Sequence, residues 1–98
     1  MARYGVYRLT SGALVVDCQA DLLSHLRTRL VAPLLPPDEL PAALPRLHPH
    51  FEIDGRRWLL ATHLAAAVPT TEIAEEVGSL APLDGDIATA LDMLLIGF

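Results

Sequence analysis

The sequence has no lysine. Its positive charge comes from seven arginines, set against twelve aspartates and glutamates, for a formal net charge of −5. Nucleic-acid binding draws most of its affinity from cationic side chains that neutralise phosphates, and the arginines cluster only weakly, at Arg27/Arg29 and Arg56/Arg57. Direct binding to DNA or RNA is therefore not expected. There is a single cysteine, Cys18, so no intramolecular disulfide can form and a reducing, cytoplasmic setting is expected. Within an alternating apolar run, that thiol reads as a small core residue and not as a nucleophile. No apolar run approaches the ~20 residues of a membrane span, and the first residues lack the charged and apolar regions of a signal peptide. Neither membrane insertion nor export is expected.

Catalytic signatures are missing too. There is no Gly-rich phosphate loop and no nucleophile elbow. His25, His48, His50 and His63 are the only possible nitrogen ligands for a metal. His48 and His50 are separated by Pro49, which spoils a regular strand, and no third ligand follows at a zinc-like spacing. All four read as solvated loop residues. Glu75 and Glu76 are adjacent, so they diverge in either a strand or a helix and cannot form an acid–base pair. The expectation is no metal, no cofactor and no enzyme.

What is present is apolar. Hydrophobic residues make up 52% of the 98 positions, enough for one domain spanning 1–98. A chain of this size buries only about 60–65% of its unfolded surface, so pairing with a second copy would help it.

Ala2 to Thr10 alternates loosely and suits a strand. Thr10-Ser11-Gly12 is a turn signal, and Ala13 to Cys18 forms a second strand with Leu14, Val16 and Cys18 on one face. Gln19 to Ser24 is a connection whose leucines are expected to tuck under the fold. Arg29 to Leu35 reads as a third strand that must bend or leave its sheet at Pro33, because proline cannot donate to the ladder. Five of the eight prolines fall between Pro36 and Pro49, which predicts a structured loop with one helical turn near Asp38–Leu40. Asp54-Gly55, between Phe51–Ile53 and Arg57–Thr62, is the strongest hairpin signal in the chain. Thr70 to Val77 fits either a helical turn or an edge strand, and Gly78 is expected to end it.

The last stretch, Asp84 to Phe98, reads as a helix that Pro82 opens, since proline's missing N–H costs nothing in the first turn, with Asp84 and Asp86 favoured near its positive end. At 100° per residue, Ile87, Ala90, Leu91, Leu94 and Leu95 form the inward stripe. Thr89, Asp92 and Ile96 lie opposite, with Met93 at the border. An apolar residue on the outer face, followed by Gly97-Phe98, suggests a surface kept for a partner. The fold class expected is mainly β (α+β): about five strands in antiparallel hairpins with one long C-terminal helix.

In order and spacing, the sequence resembles the CcdB family of toxins from toxin–antitoxin systems. The likeness is carried by Val15-Val16-Asp17-Cys18-Gln19-Ala20-Asp21-Leu22-Leu23, Arg29-Leu30-Val31-Ala32-Pro33-Leu34, His50-Phe51-Glu52-Ile53-Asp54-Gly55 and Trp58. It continues through the Ala67-Val68-Pro69 turn, Ile73-Ala74-Glu75-Glu76-Val77, Asp86-Ile87 and Gly97. The resemblance implies a small SH3-like antiparallel barrel with a long C-terminal helix, assembled as a homodimer and related to the MazF-type endoribonucleases. It implies no catalysis. Instead, the paired terminal helices would wedge between the A subunits of DNA gyrase and trap its cleaved-DNA complex, until a CcdA-like antitoxin folds onto the dimer.

The gyrase-binding positions implied are Thr89, Asp92, Ile96, Gly97 and Phe98, with Asp84, Ile87 and Ala88 nearer the helix start. The connection after the second strand adds Ala20, Leu22, Leu23 and Ser24. Family toxins end Trp-Gly-Ile, whereas this chain ends Ile96-Gly97-Phe98, and Asp92 stands where the family has asparagine. Two alternatives stay open: a MazF-like endoribonuclease on the same barrel, and a non-toxic relative that keeps antitoxin binding but has lost gyrase.

Overall fold

In a computed structural model describing residues 2–98, seven strands precede one helix. They are β1 (Gly5–Leu9), β2 (Leu14–Asp17), β3 (Thr28–Leu35), β4 (His50–Ile53), β5 (Arg56–Leu60), β6 (Ala66–Pro69) and β7 (Ile73–Ser79), followed by α1 (Asp84–Ile96). All neighbouring strands pair antiparallel in the order β4-β5-β3-β2-β1-β7, with β6 also paired to β3. The sheet curls into a half-barrel that carries the C-terminal helix.

Local chemistry explains the turns. Asp54 and Gly55 both take positive φ, 52° and 77°, the mirror-image turn that a two-residue hairpin needs to follow strand twist. Gly12 at φ 92° closes the β1–β2 turn, with its N–H donating to the Leu9 carbonyl. The proline-rich segment contains one 3₁₀ turn, Pro37–Glu39, close to the helical turn expected there.

β3 is the strand on which the sheet changes direction. Its first half pairs with β6, Thr28–Val31 against Pro69–Ala66, and its end pairs with β5 through Leu34 and Leu35. Pro33 lies at the change-over, opposite Val15 of β2, and its carbonyl accepts from Ala61 N–H at 2.8 Å. The proline therefore sits where one partner strand gives way to the next.

The sequence predicts about five strands, and the structure has two more. β6 reads poorly as a strand because Ala66 and Ala67 have low β-propensity; pairing to β3 supplies what propensity does not. The ambiguous run from Thr70 resolves into both of its readings, a 3₁₀ turn at Thr70–Glu72 followed by β7. β7 runs past Gly78 to Ser79.

Apolar alternation divides the interior into two clusters. The larger one gathers Leu14, Val16 and Cys18 of and beside β2 with Val6, Ala32, Leu34, Phe51, Leu60 and Leu80, and Ile87 of α1 closes it. The smaller one, Tyr7, Val15 and Val31 backed by Leu9, Val68 and Ile73, lies on the opposite faces of the same strands.

Candidate functional site

α1 follows a 3₁₀ turn, Ala81–Leu83, that is anchored by buried Leu80. Pro82 therefore sits in that turn and not in the α-helix itself. Asp84 and Asp86 occupy the first helical turn and no side chain caps it, so the helix start relies on the dipole-favoured acids. At the other end Gly97 adopts φ 95° and its N–H bonds the Asp92 and Met93 carbonyls. A glycine is the natural residue for this left-handed stop.

Thirteen residues at ~1.5 Å each make a helix about 20 Å long, and the sheet supports only its first part. Ile87 and Ala90 are fully buried and Leu91 half-buried, whereas every residue from Leu94 onward is exposed. Leu95 is 75% exposed, Ile96 61% and Phe98 72%. Two expectations change accordingly. Leu94 and Leu95, assigned by periodicity to the inward stripe, are both exposed, Leu94 at 38% and Leu95 at 75%, because the last turn projects beyond the core. Ile87, implied as a partner-binding residue, has no accessible surface and serves the core alone. Of the other helix positions, Asp84, Thr89, Asp92, Ile96, Gly97 and Phe98 are exposed and Ala88 is half-buried. No charged side chain lies between Asp92 and Phe98, so the projecting tip presents apolar side chains.

The second implied set lies on the connection between β2 and β3. Ala20 precedes a 3₁₀ turn, Asp21–Leu23, and Ser24 follows it. The leucines are not tucked under the fold as expected: Leu22 is 86% exposed, Leu23 41% and Leu26 42%. They are held outward by a polar clamp. Gln19 donates through Nε2 to the Leu23 and Thr28 carbonyls and accepts Leu30 N–H at Oε1. Asp17 Oδ1 accepts Gln19 N–H at 3.0 Å, and Asp21 Oδ1 accepts Arg3 N–H at 2.8 Å. With the backbone fixed this way, the Leu22 side chain faces solvent while Leu23 and Leu26 stay partly covered. Among the described residues no hydrogen bond or ion pair joins this connection to α1.

Beneath the connection lies the Asp17–Arg29 pair, which sequence reasoning did not single out. Both side chains are buried, and Arg29 donates from Nε (2.9 Å) and Nη2 to Asp17 Oδ2. Arg29 Nη1 has no protein partner among the described residues. A signal was there to read. Asp17 occupies the phase of β2 opposite Leu14, Val16 and Cys18, on the same face as buried Val15, and an acid in that position needs a cation. Cys18 is buried beside it, and burial first, then the Asp17 charge, pushes its thiol pKa up to about 11. That thiol is inert as a nucleophile at neutral pH.

A cavity of about 320 Å³ adjoins the outer side of α1, lined by Pro45, Arg46, Pro49, His50, Asp86 and Thr89. The reading of the histidines as solvated fails for His48, which is buried and bonds His63 ring to ring at 2.9 Å.

Comparison with known proteins decides the family. The family model described as "CcdB protein" matches residues 3–97. The chain belongs to the CcdB family. Among solved structures, it is similar to an endoribonuclease in complex with its cognate antitoxin from Mycobacterial species, with a TM-score of 0.81 at 15% identity over 97% of this chain and 94% of that one. At that identity the likeness speaks for the fold. The CcdB match takes in both implied surfaces, the connection at 20–24 and α1 through Gly97.

Proposed function

We infer that this CcdB-family chain is the toxin of a toxin–antitoxin pair and that it acts without catalysis, by binding a protein target, the paired A subunits of DNA gyrase. The observation that carries the reading is the projecting tip of α1, where Leu95, Ile96 and Phe98 stand 61–75% exposed with no charged side chain from Met93 to Phe98. Exposed apolar groups of this kind favour a docked partner, since each large side chain contributes about 1.5–3 kcal/mol when fully buried. Thr89 and Asp92 continue the surface down the helix, and Ala20, Leu22, Leu23 and Ser24 form the second contact. Ile96 fills the position of the family tryptophan, and Phe98 is the aromatic ring available at the tip. A CcdA-like antitoxin is the neutralising partner and a homodimer the acting form.

The arginines support a protein target over RNA. Arg3 stacks on Tyr4 at 4.6 Å, Arg56 on Trp58 at 4.9 Å, Arg8 pairs with Glu75 and Arg29 with Asp17. Those left over are spread along the chain, Arg27 just before β3, Arg46 in the segment between β3 and β4, and Arg57 in β5.

The test is expression of the intact chain beside a chain lacking Ile96 to Phe98. The intact chain should arrest growth with gyrase-dependent DNA breaks and be rescued by its antitoxin; the shortened chain should fold and be harmless. Toxicity that survives the deletion would sink the mechanism. The endoribonuclease reading has one observation in its favour, the fold shared with the mycobacterial enzyme, and clean sequence-dependent cleavage of a long RNA by purified protein would establish it instead. Tight antitoxin binding with no gyrase heat in calorimetry would identify a non-toxic relative.

A further inference from the structure

The segment between β3 and β4 ends in a relay of two imidazoles. Leu44 N–H donates to His48 Nδ1 at 3.0 Å, and His48 N–H returns a bond to the Leu44 carbonyl at 2.7 Å. A backbone amide can only donate, so His48 Nδ1 is bare and its proton sits on Nε2. That Nε2 lies 2.9 Å from His63 Nδ1, with the rings edge to face, 71° between planes. The bond therefore runs from His48 to His63, and His63 carries its own proton on Nε2. Each neutral ring has one lone pair, and both lone pairs are in use. A proton added at His48 Nδ1 expels Leu44 N–H.

We propose that the His48–His63 pair is an acid-released latch that holds the Leu44–His48 turn of the proline-rich segment against the turn at Thr62–Leu64. The inference does not depend on the target of α1. One neighbour of the latch is insensitive to acid: the Thr62 hydroxyl donates to the Leu47 carbonyl at 2.6 Å, so release loosens the Leu44–His48 turn while Leu47 stays tethered. The charged groups around the pair are few. His63 faces it from the turn, while Arg46 of the segment, His50 of β4 and Asp86 of α1 line the adjoining cavity.

Burial, and then the charge on His63, lowers the His48 pKa. The closed form thus binds fewer protons than the open form below the ordinary imidazole value of about 6.5, and the latch is fully present above that pH and weakens as pH falls through it. Because Pro45, Arg46 and Pro49 wall the cavity that also touches Asp86 and Thr89, its opening changes the surface beside the outer face of α1.

Ring nitrogen shifts and amide exchange on ¹⁵N-labelled protein between pH 7 and pH 5 test this. His48 should appear as the Nε2–H tautomer, and Leu44 amide protection should fall severalfold on acidification. One proton taken up only by the open form sets a ceiling of about 25-fold. Amides of β2 and β3 should keep their protection. His63→Asn, which keeps an acceptor without titrating, should preserve Leu44 protection at pH 7, and His63→Leu should lose it. An Nδ1–H tautomer for His48, or Leu44 protection unchanged to pH 5, overturns the proposal; these two readings need only the unaltered chain.

Discussion

Asp17 and Arg29 carry more of the fold than their number suggests. Each is at most 1% exposed, and the carboxylate joins the guanidinium on one side to the Gln19 backbone on the other. Removing one member of a buried ion pair strands the other charge in a medium that solvates it poorly, at a cost of about 3–5 kcal/mol. Arg29→Ala or Asp17→Ala should therefore lower the urea midpoint sharply, with the connection at 20–24 losing amide protection first. Cys18 supports a second prediction at this scale. Its thiol is raised from 9.0 to about 11, so the unfolded chain gives up this proton before the folded one does. Stability from this group is fully present below pH 9 and drains away as pH rises towards 11, by about 2–3 kcal/mol over the whole window. Tyr4, also raised by burial, acts in the same direction. The Cys18 share is the difference between the alkaline stability profiles of the native chain and Cys18→Ala, and identical slopes would refute it.

α1 shows what periodicity can and cannot convey. The helical wheel fixes the angle of each residue about the axis, which is why Ile87, Ala90 and Leu91 point inward as the sequence predicts. It holds nothing about where the supporting sheet ends along the axis, and that is why Leu95 shares an angle with the core residues yet lies in solvent. Substitution separates the two cases. Ile87→Ala should cost about 2–5 kcal/mol by opening a cavity, whereas Leu95→Gln should stay within about 0.5 kcal/mol; paired denaturation curves measure both. Gly97→Ala meets no atom within 4 Å but must hold φ 95°. It should fray the last turn at a cost of roughly 1 kcal/mol, read as lost helical ellipticity, and redirect Phe98. Turn and breaker residues were equally legible: Asp54-Gly55 gives its hairpin and Pro33 marks the change of partner in β3. β6 was not, because Ala66 and Ala67 are strand residues only by virtue of their pairing with Leu30 and Val31, a long-range fact with no local trace. The same holds for His48, whose burial depends on a turn fifteen residues away.

At the scale of the whole molecule, a small core coexists with two apolar surfaces left in water: Leu22 and Leu26 on the connection, and Leu95, Ile96 and Phe98 at the helix tip. A 98-residue domain has little stability to spare, and exposed patches of this kind invite a second copy as well as a target. A symmetric dimer needs self-complementary surface, and exposed apolar side chains meet that need in a chain of net charge −5. If pairing completes the fold, unfolding is coupled to dissociation and depends on concentration. Tenfold dilution should then remove about 1.4 kcal/mol from the coupled equilibrium and lower Tm by a few degrees. Leu22→Glu and Leu95→Glu separate the roles of the two surfaces: the substitution that abolishes the concentration dependence and yields a monomer in sedimentation marks the dimer seam. The surface whose charge leaves the dimer intact is the one free to meet the proposed protein target, and there the loss should appear in growth arrest alone. A Tm independent of concentration over two decades, with a monomer throughout, would remove the homodimer from the mechanism and leave each chain to act singly through its helix tip.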